Sequence, residues 1–408
     1  MRSWLLVLLA ACGDSNATST DAAIAIDATD GPAASSCPAT PVCGDVPTDL
    51  VEGHGLRATD PCAFPLAHDT GNYDSIITSF PLTHVTLADI AGDLNRTAVR
   101  QAPNALPGTA PGVQAVYTWQ SGDEDVTYWT PQGVTGSFDG EATGLVAGHK
   151  LVIVSWYYTM ANDTGSTVDK GVRIAIADVT NPDAVTYRFA LLVTPTLTGS
   201  TYGFAAVKVH AGGLAWVGDR LYVPVTTGGF RVFDLSRILK LNALDDSLGL
   251  DGNGTYDAYS YAYAVPELER YNADQTCAPR FSWVSLDRTT NSLVSGEYDA
   301  TSIHGRLMRW PLDASGAIAG STPSNAYFMG ESYIQGGLAH GSDFYLSSSK
   351  PAGGAGMLDH VIVGGPTMYL GWSNSPEDLS YDPQDDSLWS LSEGTSARYL
   401  FEVARSAL

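Results

Sequence analysis

The chain is 408 residues long, with hydrophobic residues at 44%, aromatic residues at 10% and charged residues at only 16%, a composition that excludes a mainly disordered polymer and leaves the surface to Ser, Thr, Asn and Gly. Its 21 basic against 44 acidic side chains give a net charge of −23, a field that repels nucleic-acid backbones and leaves cations, neutral sugars and basic peptides as compatible partners. Length alone does not choose between two average domains and one large all-β ring.

The N-terminus reads MRSWLLVLLAACGDS, with one Arg ahead of an apolar run from Trp4 to Leu9. That run is too short to span a bilayer, which takes about 20 residues. Leu9-Ala10-Ala11-Cys12 resembles the lipobox of bacterial lipoproteins. The resemblance implies that residues 1–12 are a signal ending in a lipidated Cys12, and that the chain is anchored at the cell envelope, outside the cytoplasm. An ordinary secretory signal with a chance Cys is the plainer alternative. Residues 13–50 are small, polar and acidic, without period or aromatic residue, and read as a flexible tether.

Setting Cys12 aside leaves Cys37, Cys43, Cys62 and Cys277, an even number for which pairing is expected in an oxidising compartment. Three connectivities are possible. Cys37 and Cys43 enclose only Pro38 to Val42 and are the easier pair to close, which would leave Cys62 to staple the N-terminal segment to the loop carrying Cys277. No Cys/His cluster has zinc spacing.

Residues 51–112 read as a cap or packing extension, with short strands over Ser75–Phe80 and Thr83–Leu87 and a Pro/Gly-rich loop from Asn104 to Gly112. From Val113 an internal repeat begins. Five segments start at Gln132, Gly212, Phe281, Gly336 and Asp378, each a short strand, a Gly/Asp turn and an apolar strand. Third strands follow from Gly171, Phe230, Arg306, Leu358 and Arg398, and fourth strands from Thr186, Tyr259, Asn325 and Thr367. The fifth repeat ends at Leu408 without a fourth strand, and Val113–Trp119 has the composition to supply it. The pattern predicts an all-β fold over residues 113–408: a five-bladed β-propeller closed by strands from both termini, which removes the last exposed edge. A six- or seven-bladed propeller and a β-sandwich are the alternatives. Only Leu235–Leu244 looks helical.

The strings HAGGLAWVGDRLYV, GGFRVFDL, SWVSLDR, GRLMRWPLD and PEDLSYDPQDDSLWSLSE resemble a group of uncharacterised secreted bacterial β-propeller-like proteins over roughly residues 113–408. The resemblance implies export and no particular reaction. The last string is also similar to blade starts in phytase-like and lactonase-like propellers, some of which hold calcium, although Asp378 stands here where those have Gly.

The familiar enzyme signatures, GxSxG, HExxH and the P-loop, are absent. Ser347-Ser348-Ser349-Lys350 ends a strand where an SxxK motif needs a helix start, and Gly353-Gly354-Ala355-Gly356 reads as a loop. Asp251 to Asp257 alternates oxygen ligands as a calcium loop would, without the closing Glu. A better constellation follows from the repeat, because the loop entering the first strand and the loop leaving the second open on one face of a propeller. The entry positions hold Gln132, His210, Arg280, Gln335 and Glu377, and the exit positions Trp156, Thr227, Glu297, Ser348 and Glu393. Carboxylates at Glu297, Glu377 and Glu393 could bind a cation, with Glu377 and Glu393 as calcium ligands, or act as acid and base on a substrate; a wet polar channel without a ligand is the bland alternative. Trp216, Trp283 and Trp310 read as packing, and Trp129 and Trp156 as stacking candidates.

The leading expectation is a monomeric binding module that takes a small molecule, saccharide or peptide on its polar face and no nucleic acid. A calcium- or carboxylate-dependent hydrolase on that face and a protein-interaction scaffold are the rivals.

Overall fold

Runs such as Leu151–Tyr158 and Val172–Asp178 are buried almost from end to end, as strands covered on both faces are. The computed structural model describes residues 37–350 and 354–408; the signal, Cys12 and the tether up to residue 36 lie outside the described residues. β-strand is the main regular structure of the described chain, arranged as five antiparallel meanders that follow one another in sequence. The first is Trp129–Gly136, Leu151–Tyr158, Val172–Asp178 and Thr186–Thr198. The second is Ala215–Val217, Arg220–Val225, Gly229–Asp234 and Tyr263–Ala273. The third is Trp283–Asp287, Ser292–Gly296, Arg306–Pro311 and Asn325–Phe328. The fourth is Ile334–His340, Asp343–Ser348, Ala355–Ile362 and Thr367–Asn374. The fifth takes Pro376–Asp382, Ser387–Ser392 and Tyr399–Ala404 from the end of the chain and Val113–Thr118 from before the first meander.

The first strands lie against one another in cyclic order, with that of the fifth meander packed back against that of the first. Glycine makes this approach possible. A Cβ on Gly133 would stand 2.5 Å from the backbone of Gly213, one on Gly213 2.3 Å from the amide of Val284, and one on Gly336 2.4 Å from Asp378 Cα. Between the meanders lie the apolar layers, with Trp156, Trp216, Trp283, Trp310, Trp372 and Trp389 fully buried. The first and second meanders are also joined at their outer edges, where Leu191–Val193 runs parallel to Ala264–Pro266.

Residues 51–112 run along the outer strands and add to their edges. Arg57–Thr59 pairs with the third meander, Leu66–Asp69 with the second, Arg96–Thr97 with the first and Val99–Arg100 with the fifth, which satisfies edge groups that would otherwise invite aggregation.

Five local expectations are corrected. Ser75–Phe80 lies in and just after an α-helix, Tyr73–Ser79; Ile76, Ile77 and Phe80 are buried together, and two adjacent buried residues fit a helix face and not the alternation of a strand. Leu235–Leu244 is not helical: Asp234 Oδ1 accepts the amides of Ser236 and Arg237 at 2.8 and 3.1 Å, turning the chain so that Ile238–Lys240 forms a short strand between Tyr263–Ala273 and Thr83–Val85. The second meander's outer strand begins at Tyr263, later than Tyr259, because Tyr259 and Ser260 hold left-handed backbone angles of 50° and 67°. Ala355 and Gly356 open a strand and not a loop.

The fifth correction is the disulfide framework. Cys43 is bonded to Cys277, with Cα atoms 5.3 Å apart, and Cys37 and Cys62 are each disulfide-bonded as well. Pro38 and Pro41 favour an extended course between Cys37 and Cys43, so shortness in sequence does not decide the pairing. The bond also fastens the end of the expected tether to the β-structure. Disulfides of this kind place the folded chain in an oxidising, non-cytoplasmic compartment. Among the described residues no helix is long and apolar enough to cross a membrane.

Candidate functional site

Gln335 and Glu377 open the first strands of their meanders, Gln132 lies within its strand, and His210 and Arg280 lie in the segments leading into theirs; together with Glu393 they line one cavity of about 480 Å³. Tyr157, Tyr298, Thr226 and Ser282 complete its wall. The tyrosines were not among the expected exit residues; Trp156 and Glu297, one position earlier, were. Side chains alternate faces along a strand, so an error of one residue exchanges wall for core. Trp156 is fully buried between meanders, edge-on to Trp119 and Phe189. Trp129 is buried against Tyr158. Neither tryptophan lines this cavity.

Glu297 does not line this cavity but a neighbouring one of about 320 Å³, which shares Arg280 and Tyr298 with it. It is buried and accepts the amides of Arg280 and Arg306, both at 2.8 Å, and a two-pronged ion pair from the Arg306 guanidinium at 2.6 and 2.8 Å. The expected crowd of three carboxylates is therefore a pair. Of that pair, Glu377 is buried, and its Oε1 has no hydrogen-bond partner among the described residues. Burial, and then the charges of Glu393 and Asp378, push its pKa well above the usual carboxylate range. Glu393 is raised by burial too, against the hydrogen bond from Gln132 Nε2, 3.0 Å from its Oε2.

His210 keeps an exposed edge while its ring packs on Tyr157, centroids 4.7 Å apart. Set in a concavity, it loses enough hydration for its pKa to fall, which keeps the imidazole neutral at pH 7. Tyr157 and Tyr298 are both raised, first by burial, with the carboxylates contributing, so both remain hydroxyl donors. Among the described residues the Arg280 guanidinium makes no hydrogen bond or ion pair, although its backbone amide is held by Glu297. The cavity thus offers two carboxyl groups, two amides, a neutral imidazole, two phenols and an exposed guanidinium, which is a set for recognising a polar molecule.

The residue after Glu377 points the other way and does different work. Asp378 Oδ2 accepts the amides of Val134 and Leu214 at 3.0 and 3.1 Å, bolting the fifth meander to the first and second. Deeper still, Asp139 accepts from Thr135 and Ser380 at 2.8 and 2.5 Å, and burial pushes its pKa up to about 6.

Glu377 and Glu393 belong to no group of three His, Cys, Asp or Glu ligand atoms within 4.8 Å among the described residues; the group that meets this distance is Asp382, Asp385 and Glu402. There the Lys150 ammonium already pairs with Asp382 and Asp385. In the Asp251 loop, Asp251 accepts the amides of Asn253 and Thr255 at 2.9 and 2.7 Å, while Asp257 is buried and turned onto the Asp245 amide at 2.8 Å. The two carboxylates do not converge.

No protein-family model matches the chain, and no curated protein is similar to it. Among solved structures, a glucose dehydrogenase is 10% identical over 76% of this chain and 98% of its own, with a TM-score of 0.34. The RS223 β-xylosidase is 9% identical over 72% and 94%, with a TM-score of 0.34. The GH43_1 enzyme from Xanthomonas citri is 11% identical over 79% and 95%, with a TM-score of 0.33. Likenesses this loose bear on neither the number of repeats nor the chemistry.

Proposed function

We propose that the chain is a five-bladed β-propeller, tethered at the cell envelope through lipid on Cys12, that binds a small or extended polar ligand in the cavity at one end of its ring. The five meanders with first strands in cyclic contact support the architecture. So does the fifth meander, which joins Val113–Thr118 to Tyr399–Ala404. One observation carries the function: every meander contributes a polar side chain to one cavity of about 480 Å³, in which Glu377 Oε1 is buried with no partner. A buried polar atom left unsatisfied costs about 1–3 kcal/mol, and a ligand donor would recover it.

A second reading, a hydrolase on the same cavity, is favoured by the unlike surroundings of its carboxyls. Glu377 is sealed and unpartnered, whereas Glu393 is hydrogen-bonded and more open, and two carboxyls in different environments can divide the roles of acid and base.

A ligand and metal inventory by native mass spectrometry, with saccharide and peptide arrays, on protein lacking residues 1–12 tests these readings. The expected result is a saccharide or peptide hit that is lost on Glu377→Gln and kept on Asp251→Asn. Tightly bound calcium together with turnover of an array ligand favours the hydrolase. Neither hit nor metal leaves only a scaffold and overturns the binding proposal. Metabolic labelling with a fatty acid tests the anchor: Cys12→Ala should abolish label and membrane retention, and a wild type without label overturns it.

A further inference from the structure

Arg398 and Arg173 are buried close to one another, 1% and 4% exposed, and they are employed differently. Arg398 donates from both terminal nitrogens to the carbonyls of Asp123, Glu124 and Val126, at 2.8, 3.0 and 2.7 Å, and so holds a loop. Arg173 makes one hydrogen bond, from Nη1 to the Tyr261 hydroxyl at 3.1 Å, and its Nε and Nη2 make none. Its guanidinium carbon lies 3.5 Å from the ring centre of Phe189, 4.4 Å from that of Trp129 and 5.1 Å from that of Trp156. These aromatic faces hold the cation in place and offset part of its desolvation, but they cannot accept its in-plane N–H bonds.

The nearest anion is already shared. Asp123 Oδ2 accepts the Tyr187 hydroxyl at 2.7 Å and stands 3.1 Å from Arg96 Nε, while its Oδ1 is 3.6 Å from Arg173 Nη2, beyond hydrogen-bond reach. One carboxylate thus serves two guanidinium groups. Nε and Nη2 lie on one edge of the guanidinium plane, and their N–H bonds form the parallel fork that matches the two oxygens of a carboxylate. Arg173 lines a cavity of about 210 Å³ walled by Tyr128, Trp129, Tyr158 and Tyr261, with Lys170 also on its lining. Asp163, on the same lining, is occupied by the Tyr158 hydroxyl at 2.5 Å and the Gly165 amide at 3.0 Å. This cavity shares no lining residue with the one around Glu377.

We infer that this second cavity binds a small organic carboxylate beside Arg173, whose Nε and Nη2, closed off from solvent in this structure, turn toward the space to take the two oxygens, with the carbon frame against the aromatic wall. A planar monoanion fits better than a tetrahedral dianion, because Asp123 and Asp163 stand beside it and the whole chain carries −23.

Calorimetric titration of the full chain with benzoate, with benzamide as its neutral isostere and with phenyl phosphate as a dianion tests this. Benzoate should bind at least tenfold more tightly than either. Arg173→Lys keeps the charge and removes the fork, and should weaken benzoate at least tenfold. Because that variant could also disturb packing, Gly122→Leu supplies an independent arm: Gly122 lines the cavity and a Cβ there meets nothing within 4 Å, so the side chain should plug the space and abolish binding. Glu377→Gln should leave benzoate affinity unchanged. No binding, equal affinity for benzamide or phenyl phosphate, binding that survives Gly122→Leu, or binding lost on Glu377→Gln would each overturn the assignment.

Discussion

The two ends of the meanders treat buried acids in opposite ways. At the end away from the main cavity, strands close on aspartates that are fully partnered. Asp287 accepts the amide and hydroxyl of Thr289 at 2.9 and 2.6 Å, the hydroxyl of Thr290 at 2.9 Å and an ion pair from Arg309. Asp178 is held by Thr180 and by His149 at 2.7 Å, and Asp234 by Ser236 and Arg237, the last at 2.7 Å. Burial alone would raise the Asp287 and Asp178 pKa values, yet hydrogen bonds to Thr289 and Arg309, and to Thr180 and His149, hold both below the usual range. In the cavity, Glu377 and Glu393 are buried with far fewer donors, and both are raised. Partners hold Asp287 and Asp178 down, but depth sets the balance as well, because the wholly buried Asp139 and Asp378 are raised in spite of their donors.

The largest test removes a partner from the satisfied end. Arg309→Met would leave Asp287 as a buried, weakly compensated charge and should cost about 3–5 kcal/mol at pH 7 in chemical denaturation. The depressed Asp287 pKa fixes the sign with pH: its contribution is present above the unfolded value, near 3.9, and is lost as pH falls through the folded one. The gap between wild type and variant should therefore narrow below about pH 4. A loss under about 1 kcal/mol, or one independent of pH, would mean that the ion pair is ornamental.

The opposite sign is expected in the cavity. Glu377 has its pKa raised on folding, so the stability it contributes is full below the unfolded value, near 4.3, and is lost as pH rises toward the folded one. Glu377→Gln should stabilise the protein by about 1–3 kcal/mol at pH 8 and hardly at all at pH 4, while weakening whatever the cavity binds, the trade expected of a functional site. Asp287→Asn should destabilise at pH 8. If both variants move stability the same way, the contrast between the two ends fails.

Much of the strand order could be read from sequence, because each meander repeats an apolar run, a Gly/Asp turn and another apolar run at similar spacing, and one such turn, Asp287-Arg288-Thr289, carries its own capping logic. The entry positions were legible for the same reason: a polar residue such as Gln335 or Glu377 just where an apolar strand begins has few other uses. Glu297 and Trp156 misled because strand parity cannot be judged where the strand is buried on both faces and no alternation marks its sides. Arg173 left no signal at all. It sits in Gly171-Val172-Arg173-Ile174, where an arginine among apolar residues looks like an edge position, and only the convergence of Phe189, Trp129 and Trp156 from elsewhere in the chain makes it a buried cation.

The smallest effect concerns the one donor that the cavity does give its acids. Gln132 is 1% exposed, and its Nε2 donates both to the Pro131 carbonyl at 2.9 Å and to Glu393 Oε2 at 3.0 Å. That bond is the first influence holding the Glu393 pKa down against burial, ahead of the charge of Arg398. Gln132→Ala should cost only about 0.5–1.5 kcal/mol, the worth of an ordinary hydrogen bond, but it should move Glu393 toward the condition of Glu377: its pKa should climb further, and its charge should appear at higher pH in a carboxyl-detected NMR titration. The cavity would then hold two unpartnered acids, and the pH above which stability declines should be set by both. A Glu393 titration that moves to lower pH would mean that Gln132 presents its oxygen and not its nitrogen to the carboxyl, which requires Glu393 to be protonated and to donate. In that case the pair already holds a proton at neutral pH, and the difference between the two ends of the meanders is larger than the wild-type hydrogen bonds imply.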